Sequence, residues 1–176
     1  FKNLEILEIG INDFDCEDLV HIKSKNLTAL DIECQTERNL DLENLLRITP
    51  LKKLTLRSSY FISEKEVHLI RNHLINLVSL QLIHSMCLTS SAYREFIQIP
   101  NLKYLSIKKS TIANFSPLSQ SSSLEILDFS SSKFLDTSVF ASLNSNECLQ
   151  EIILKDLPKK TVTEIRSHLL NNKIKL

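Results

Sequence analysis

A six-residue arrangement of apolar side chains, L-x-x-L-x-L, recurs along the chain. Its starts are 23, 24, 26, 25, 22 and 25 residues apart by subtraction, and polar stretches separate them. A single leucine-rich helix repeats its apolar face every ~3.6 residues and would not give so long a period. The pattern therefore predicts an internal structural repeat. Its seven copies begin at Leu4, Leu27, Leu51, Leu77, Leu102, Leu124 and Leu149.

Each copy alternates apolar and polar positions, which is typical of a β-strand with one buried face. The first, fourth and sixth places of a copy point into the core, and the third, fifth, seventh and eighth point away from it. The chain has 1 glycine and 4 prolines, too few for the tight turns of antiparallel hairpins. We therefore expect parallel strands joined by longer crossovers. The segment "NNKIKL" predicts a partial eighth copy with Asn171 in its first place.

The crossovers differ in how helical their sequences are. Ser63 and Glu66 have the spacing of a helix-capping box in the third copy, and Thr161 and Glu164 repeat it in the seventh. Pro117 interrupts the fifth crossover, where proline permits no more than a turn or a one-turn helix. We expect helices in some crossovers and shorter segments in others.

These repeats resemble the leucine-rich repeat superfamily, whose units of about 20–29 residues pair a strand with a helix or a looser segment. The resemblance implies an α/β fold: a solenoid with a parallel concave sheet, and with helices, 3-10 turns or irregular segments on the convex side. The 22-residue fifth copy is similar to the short intracellular or internalin-like class. The longer copies are loosely similar to the F-box-associated class.

The family's asparagine after the strand is present only as Asn12. That side chain normally satisfies backbone groups where the chain turns inward, and an unsatisfied buried group costs about 1–3 kcal/mol. We expect serine and glutamine to replace it less completely. The residues at this ninth place in the other copies are Gln35, Ser59, Ser85, Ser110, Ser132 and Leu157.

The length and the charge of the chain set limits on its organisation and its partners. Its 176 residues, 43% hydrophobic and 24% charged, suffice for one sizeable core, so we expect a single leucine-rich repeat domain over residues 1–176. The start at Phe1 indicates a piece of a longer protein. The 21 basic and 21 acidic side chains cancel, which disfavours nucleic acid as a partner. No apolar run approaches the ~20 residues that span a bilayer, so we expect no membrane insertion.

The outward places predict a binding face, because strands about 4.8 Å apart align their outward side chains in rows. Charge is segregated along these rows into an acidic end and a basic centre. The arrangement predicts a face that accepts an acidic loop or peptide, with Tyr104 as its aromatic anchor. The alternative is that these side chains bind no partner and are only the solvated polar surface of an exposed sheet. The candidate residues are the acidic Glu8, Asp31 and Glu33, the basic Lys53, Arg57, Lys108 and Lys109, and between them Gln81, His84 and Tyr104.

The residue types that support catalysis or metal binding are scattered. The four cysteines include no C-x-x-C pair, and none of the five histidines has a partner at a spacing typical of a triad or a metal cage. Gly10 is the only glycine, which excludes a glycine-rich phosphate loop. We therefore expect no catalytic residue, metal, cofactor or small-molecule substrate.

The leading hypothesis is a non-catalytic protein–protein interaction module within a larger scaffold, adaptor or sensor. One alternative, from the resemblance, is the substrate-receptor portion of an F-box-type ubiquitin ligase. Another is a secreted or cell-surface recognition domain, because Asn26 and Asn114 each begin a glycosylation sequon. Scattered cysteines favour free thiols and hence an intracellular protein, cytoplasmic or nuclear, over a secreted one. Nucleic-acid binding through base stacking on Tyr104 is a minor alternative.

Overall fold

The structure is a computed structural model that describes residues 3–11, 26–34, 50–57, 62, 64–85, 88–170 and 173–176. Seven of its strands form one parallel sheet and two form a small second sheet. The strands within the described ranges are β1 Ile6–Ile11, β2 Ala29–Cys34, β3 Lys53–Arg57, β4 Ser79–Ile83, β5 Tyr104–Lys108, β6 Thr111–Ile112, β7 Ile126–Asp128, β8 Lys133–Phe134 and β9 Glu151–Ile153. The order in the large sheet is β1-β2-β3-β4-β5-β7-β9, and β6 pairs with β8.

The register of the large sheet follows the leucine pattern without a slip. Ile6 at the third place of the first copy lies opposite Ala29 at the third place of the second, and Ala29 lies opposite Lys53. The same place stays aligned through to β9. The predicted start of the eighth copy is wrong by two residues. Lys175 lies opposite Glu151, which puts the first place of that copy at 173 in place of Asn171.

One face of the large sheet packs on the core, as the alternation of the pattern predicts. The fourth-place side chains of every strand after β1 in this sheet are buried, and the sixth-place side chains of the inner strands are buried with them. The fourth-place residues with 0% exposure are Leu54, Leu80, Leu105, Leu127 and Ile152. This buried row holds the described strands together, and the outward places of each copy lie on the opposite face.

Three crossovers in the described residues are α-helical and two are 3-10 helices. Thr89 caps the second α-helix by accepting a hydrogen bond from the Ala92 amide at 3.4 Å. Pro117 lies at the start of a 3-10 helix, which confirms the short fifth crossover. The bounds are α1 Glu64–His73, α2 Ser90–Phe96 and α3 Lys159–His168, with 3-10 helices at Ser116–Gln120 and Ser138–Ser145.

The two predicted capping boxes have different outcomes. Thr161 does not cap α3, because this helix begins at Lys159 directly after Pro158 and has no side-chain cap. The fixed φ of proline suits that entry, so the helix starts before the predicted capping residue. Ser63 lies outside the described residues.

Aromatic rings fill the core beneath the short crossovers. The ring centroid of Phe115 lies 5.2 Å from that of Phe129 and 4.9 Å from that of Phe140, and Phe134 lies 5.0 Å from Phe140. Tilted and edge-on pairs at these distances are favourable packing. The large rings occupy the space between β7 and the 3-10 helices, where a crossover supplies few side chains.

The eighth place adopts a left-handed backbone in four consecutive copies, directly after the strand in β4 and β5 and three residues after it in β7 and β9. The φ angles are 59° at His84, 52° at Lys109, 57° at Ser131 and 61° at Asp156. In this conformation the amide of Lys109 donates to the Ser130 carbonyl at 3.2 Å, and the amide of His84 donates to the Lys108 carbonyl at 3.0 Å. The backbone hydrogen bonds between repeats therefore continue one residue beyond β4 and β5.

The ninth place follows with a ladder of buried serines. The amide of Ser85 donates to Ser110 Oγ at 3.0 Å, and the amide of Ser110 donates to Ser132 Oγ at 3.2 Å. Ser110 Oγ also donates to the Lys108 carbonyl at 2.7 Å. Ser110 and Ser132 thus make repeat-to-repeat hydrogen bonds, but Ser85 Oγ is buried without a hydrogen-bond partner among the described residues, so serine replaces asparagine incompletely, as the sequence predicts. Asn12, Gln35 and Ser59 lie outside the described residues.

Candidate binding face of the sheet

The face of the large sheet opposite the core carries the third, fifth and seventh places of each copy, and we call it the open face. Parallel register stacks these side chains in three rows. The third-place row is Ile6, Ala29, Lys53, Ser79, Tyr104, Ile126 and Glu151. The fifth-place row is Glu8, Asp31, Thr55, Gln81, Ser106, Asp128 and Ile153, and the seventh-place row begins Gly10, Glu33, Arg57, Ile83 and Lys108.

The structure places the ten candidate residues in these rows or at their rim. Glu8 and Lys53 are exposed, while Gln81 and Glu33 are half-buried. His84, half-buried, and Lys109, exposed, occupy left-handed positions where the chain leaves the strand. Asp31, Arg57, Tyr104 and Lys108 enter two hydrogen-bonded clusters that the linear sequence did not indicate.

The first cluster joins β3 to β2 through one ion pair. Arg57 Nε donates to Asp31 Oδ1 at 2.9 Å, and Nη2 donates to Oδ2 at 2.7 Å. This bidentate geometry raises the pKa of the Arg57 guanidinium above its ordinary value, chiefly through the side-chain hydrogen bonds to Asp31. The arginine side chain keeps 46% of its surface exposed and the aspartate 22%, so water still screens the pair.

The second cluster is centred on the Asp128 carboxylate, whose side chain is only 3% exposed. Tyr104 Oη and Lys108 Nζ, both from β5, each lie 2.8 Å from Oδ2 and donate to it. The Ser130 amide at 3.0 Å and its hydroxyl at 2.6 Å donate to Oδ1. Each carboxylate oxygen thus has two donors, as a buried charge requires.

These contacts shift two pKa values in opposite directions. Burial alone would raise the pKa of the Asp128 carboxyl, but hydrogen bonds from Lys108, Ser130 and Tyr104 outweigh it and hold that pKa below its ordinary value. Burial, followed by the hydrogen bond to Asp128, raises the pKa of Tyr104 to about 12. The carboxylate therefore stays charged and the phenol stays neutral across the physiological range.

The two clusters alter the predicted charge distribution of the face. Arg57 and Lys108 were expected to contribute unpaired positive charge to a basic centre, but each forms an ion pair with a carboxylate on the neighbouring strand. Lys53 and Lys109 make no ion pair with any described residue. An acidic partner segment therefore has less free positive charge to meet than the sequence indicated.

Three outward side chains that were expected to be exposed are buried. As whole residues, Ser106 is 0% exposed, Asp128 2% and Ser130 6%. Sequence reasoning therefore missed Asp128 and Ser130 as site residues. The sequence does contain two signals. In the aligned copies Tyr104 occupies the third place and Asp128 the fifth place of the next copy, so the two side chains lie diagonally across neighbouring strands. An aspartate two residues before a serine also commonly accepts a hydrogen bond from that serine's amide.

Isoleucines surround the second cluster. Register puts Ile83 beside Lys108, Ile126 beside Tyr104 and Ile153 beside Asp128. All three isoleucines are half-buried. We call the cluster of Tyr104, Lys108 and Asp128, together with these isoleucines, the anchor patch.

Other features of the described residues offer little chemistry. No group of three or more His, Cys, Asp or Glu side chains in this part of the chain is placed to hold a metal ion. A polar depression of about 400 Å³ lies where the chain enters β5, β7 and β9, and it is lined in part by Lys103, Glu125 and Cys148. No helix of the described ranges is long and apolar enough to cross a membrane.

Comparison with known proteins finds a likeness of structure only. No protein family and no curated protein sequence matches the chain. The solved structure of an internalin C2 from Listeria monocytogenes is similar over 98% of this chain and 80% of that chain, with a TM-score of 0.54 and 21% sequence identity. Together with the parallel seven-stranded sheet and its helices, this likeness supports a leucine-rich-repeat-like α/β fold.

Proposed function

We propose that the chain is a non-catalytic protein–protein interaction module that binds a protein or peptide partner on the open face. In this proposal residues 1–176 form one leucine-rich repeat solenoid, and the open face is its concave side. The observation that carries it is the set of three side-chain rows opposite the core, in which Tyr104 and three isoleucines lie half-buried around an ion pair whose carboxylate is buried. Aromatic side chains beside desolvated polar pairs are typical of interface hot spots.

The fold supports the same proposal. In the part of the chain that the structure describes, the open face consists of regular parallel strands, whose backbone is already ordered before a partner binds. The proposed setting is a larger intracellular scaffold, adaptor or sensor, which is compatible with the free thiol of Cys148.

The test uses a library of random peptides displayed on phage and selected against the folded chain. Enriched peptides are titrated by fluorescence polarisation against the unmodified chain and against Tyr104→Ala. We expect Tyr104→Ala to weaken binding by about tenfold or more, as at a hot spot. The matched control is Arg94→Ala on the exposed side of α2, which should leave the affinity unchanged. Binders that respond to Arg94 and ignore the open face would contradict the proposal.

A secreted or cell-surface recognition domain is a second candidate. Its support is that Asn26 and Asn114 are both exposed, while Phe115, the middle residue of the second sequon, is buried in the core. Expression through a secretory pathway followed by mass spectrometry tests it. Glycan on Asn114 with retained folding would support this candidate, and an unmodified Asn114 would count against it.

A further inference from the structure

The chemistry of the anchor patch indicates what kind of segment it binds, given the proposed open-face function. Its charges are internally balanced, because Asp128 has Lys108 as its cation at 2.8 Å and is nearly inaccessible to water. A partner carboxylate placed here would have to compete with Asp128 for Lys108. Separating that pair would leave a buried charge without its partner, which is strongly unfavourable.

The side chains around this ion pair are mainly isoleucines, with the buried Ser106 and the half-buried Glu151 as polar neighbours. In the neighbouring strands, Ile83 lies beside Lys108, Ile153 beside Asp128, and Ile126 beside Tyr104. The Tyr104 hydroxyl already donates its hydrogen bond to Asp128. What the patch offers to a partner is therefore aliphatic and aromatic surface. Lys108 Nζ carries three N–H donors and uses one on the carboxylate, which leaves donors for a neutral acceptor such as a backbone carbonyl.

We propose that the anchor patch binds an uncharged segment of a protein partner, one that packs an aliphatic or aromatic side chain between Tyr104, Ile126 and Ile153. The acidic segment that the basic residues alone indicate is not its ligand. Asp128 acts as a positioning residue, which fixes Tyr104 and neutralises Lys108. We infer an uncharged segment from charge complementarity, because an ion pair with no net charge is best complemented by a neutral segment.

The first test measures two properties of the peptides selected from the random library: their amino-acid composition and the dependence of their affinity on salt concentration. Enriched peptides should carry a large apolar residue and no excess of Asp or Glu. Their affinity should change by less than about twofold between about 50 and about 300 mM NaCl, because screening acts on exposed charges and not on apolar contacts. Ile153→Asp should weaken binding by about tenfold or more, and Lys53→Glu, on the same face but outside the patch, should have little effect.

The second test removes the neutralising charge. In Asp128→Asn the Lys108 ammonium has no carboxylate partner, so selection against this variant should enrich acidic peptides that the unmodified chain rejects. Their binding should weaken steeply with salt. Circular dichroism checks that the variant folds. If it does not fold, Lys109→Gln serves instead, because Lys109 is an exposed cation at the rim outside the anchor patch, and the neutral peptides should bind this variant within about threefold of the unmodified chain.

The outcomes separate this inference from the proposed function. Acidic peptides enriched by the unmodified chain, lost in Lys53→Glu and weakened by salt, would overturn the inference while leaving open-face binding intact. Selected peptides that ignore both Tyr104→Ala and Ile153→Asp, or no enrichment over a blank surface, would overturn both.

Discussion

Among the described residues of the open face, two ion pairs join the same two places of the repeat and have different surroundings. In each, a cation at the seventh place of one strand reaches a carboxylate at the fifth place of a neighbouring strand: Arg57 to Asp31 and Lys108 to Asp128. The first pair keeps 46% and 22% of its side-chain surfaces exposed, and the second keeps 31% and 3%. The difference shows that neighbouring side chains, more than the pairing itself, decide what an ion pair contributes.

The neighbours of the two pairs explain this difference. Asp31 lies between Glu8 and Thr55 in its row, where hydration remains favourable. Asp128 lies beside Ile153 and accepts hydrogen bonds from Tyr104 and Ser130, so it has exchanged water for fixed donors. The exposed pair is worth little because water competes for it, whereas the buried one becomes costly to break.

The largest predicted difference between the two ion pairs is the loss in free energy of unfolding when the carboxylate of each pair is removed. Asp128→Ala leaves the Ser130 amide and the Tyr104 hydroxyl without their acceptor, and should lower the free energy of unfolding by about 2–4 kcal/mol. Asp31→Ala should lower it by about 0–1 kcal/mol, since Arg57 is then solvated. Urea denaturation followed by circular dichroism measures both. Equal losses would show that burial does not distinguish the pairs.

The alkaline titration of Tyr104 tests the buried cluster directly. Its pKa of about 12 lies above the ordinary value of about 10, so the stabilisation is fully present below about pH 10 and is lost as the pH rises through 12. The difference in phenolate absorbance between the unmodified chain and Tyr104→Phe isolates this tyrosine from the other two. In Asp128→Asn the same transition should move to lower pH. A transition that does not move would leave burial as the sole cause of the shift.

Acid should reduce the contribution of the buried pair. The folded-state pKa of Asp128 is depressed, so its stabilisation is present above the unfolded value of about 3.9 and disappears as the pH falls through the folded value. The gap in free energy of unfolding between the unmodified chain and Asp128→Asn should therefore be constant near neutrality and narrow below about pH 4. Urea unfolding across that range measures it, and a gap that persists at the acid end would contradict the assignment.

Salt should produce the smallest effect, and only at the exposed pair. A double-mutant cycle on Arg57 and Asp31 should give a coupling of about 0.5 kcal/mol in dilute buffer, falling towards zero at about 1 M NaCl, where the screening length is ~3 Å. The same cycle on Lys108 and Asp128 should change less with salt. A coupling that falls equally in both would show that both pairs are open to water.

Much of the fold could be predicted from the pattern of leucines. The alignment of the copies places Ile6 opposite Ala29 and Tyr104 opposite Ile126, as the sheet has them, because a shift of one residue would turn the inward leucines outward. The start of α3 could not be predicted from Thr161, since the preceding Pro158 already sets the helical entry. The register of the eighth copy could not be predicted, because it rests on a single tertiary contact, the bridge between Lys175 and Glu151.

The sequence by itself determined which places of each copy face the core, and hence that Glu8, Lys53, Tyr104 and the other candidate residues share the opposite face. That result depends on a local property, the alternation of side chains along a strand. Only the tertiary structure decided that Asp128 is buried and that Lys108 and Arg57 are neutralised. Burial and pairing depend on side chains from neighbouring strands, more than 20 residues away along the chain, and on how fully they exclude water.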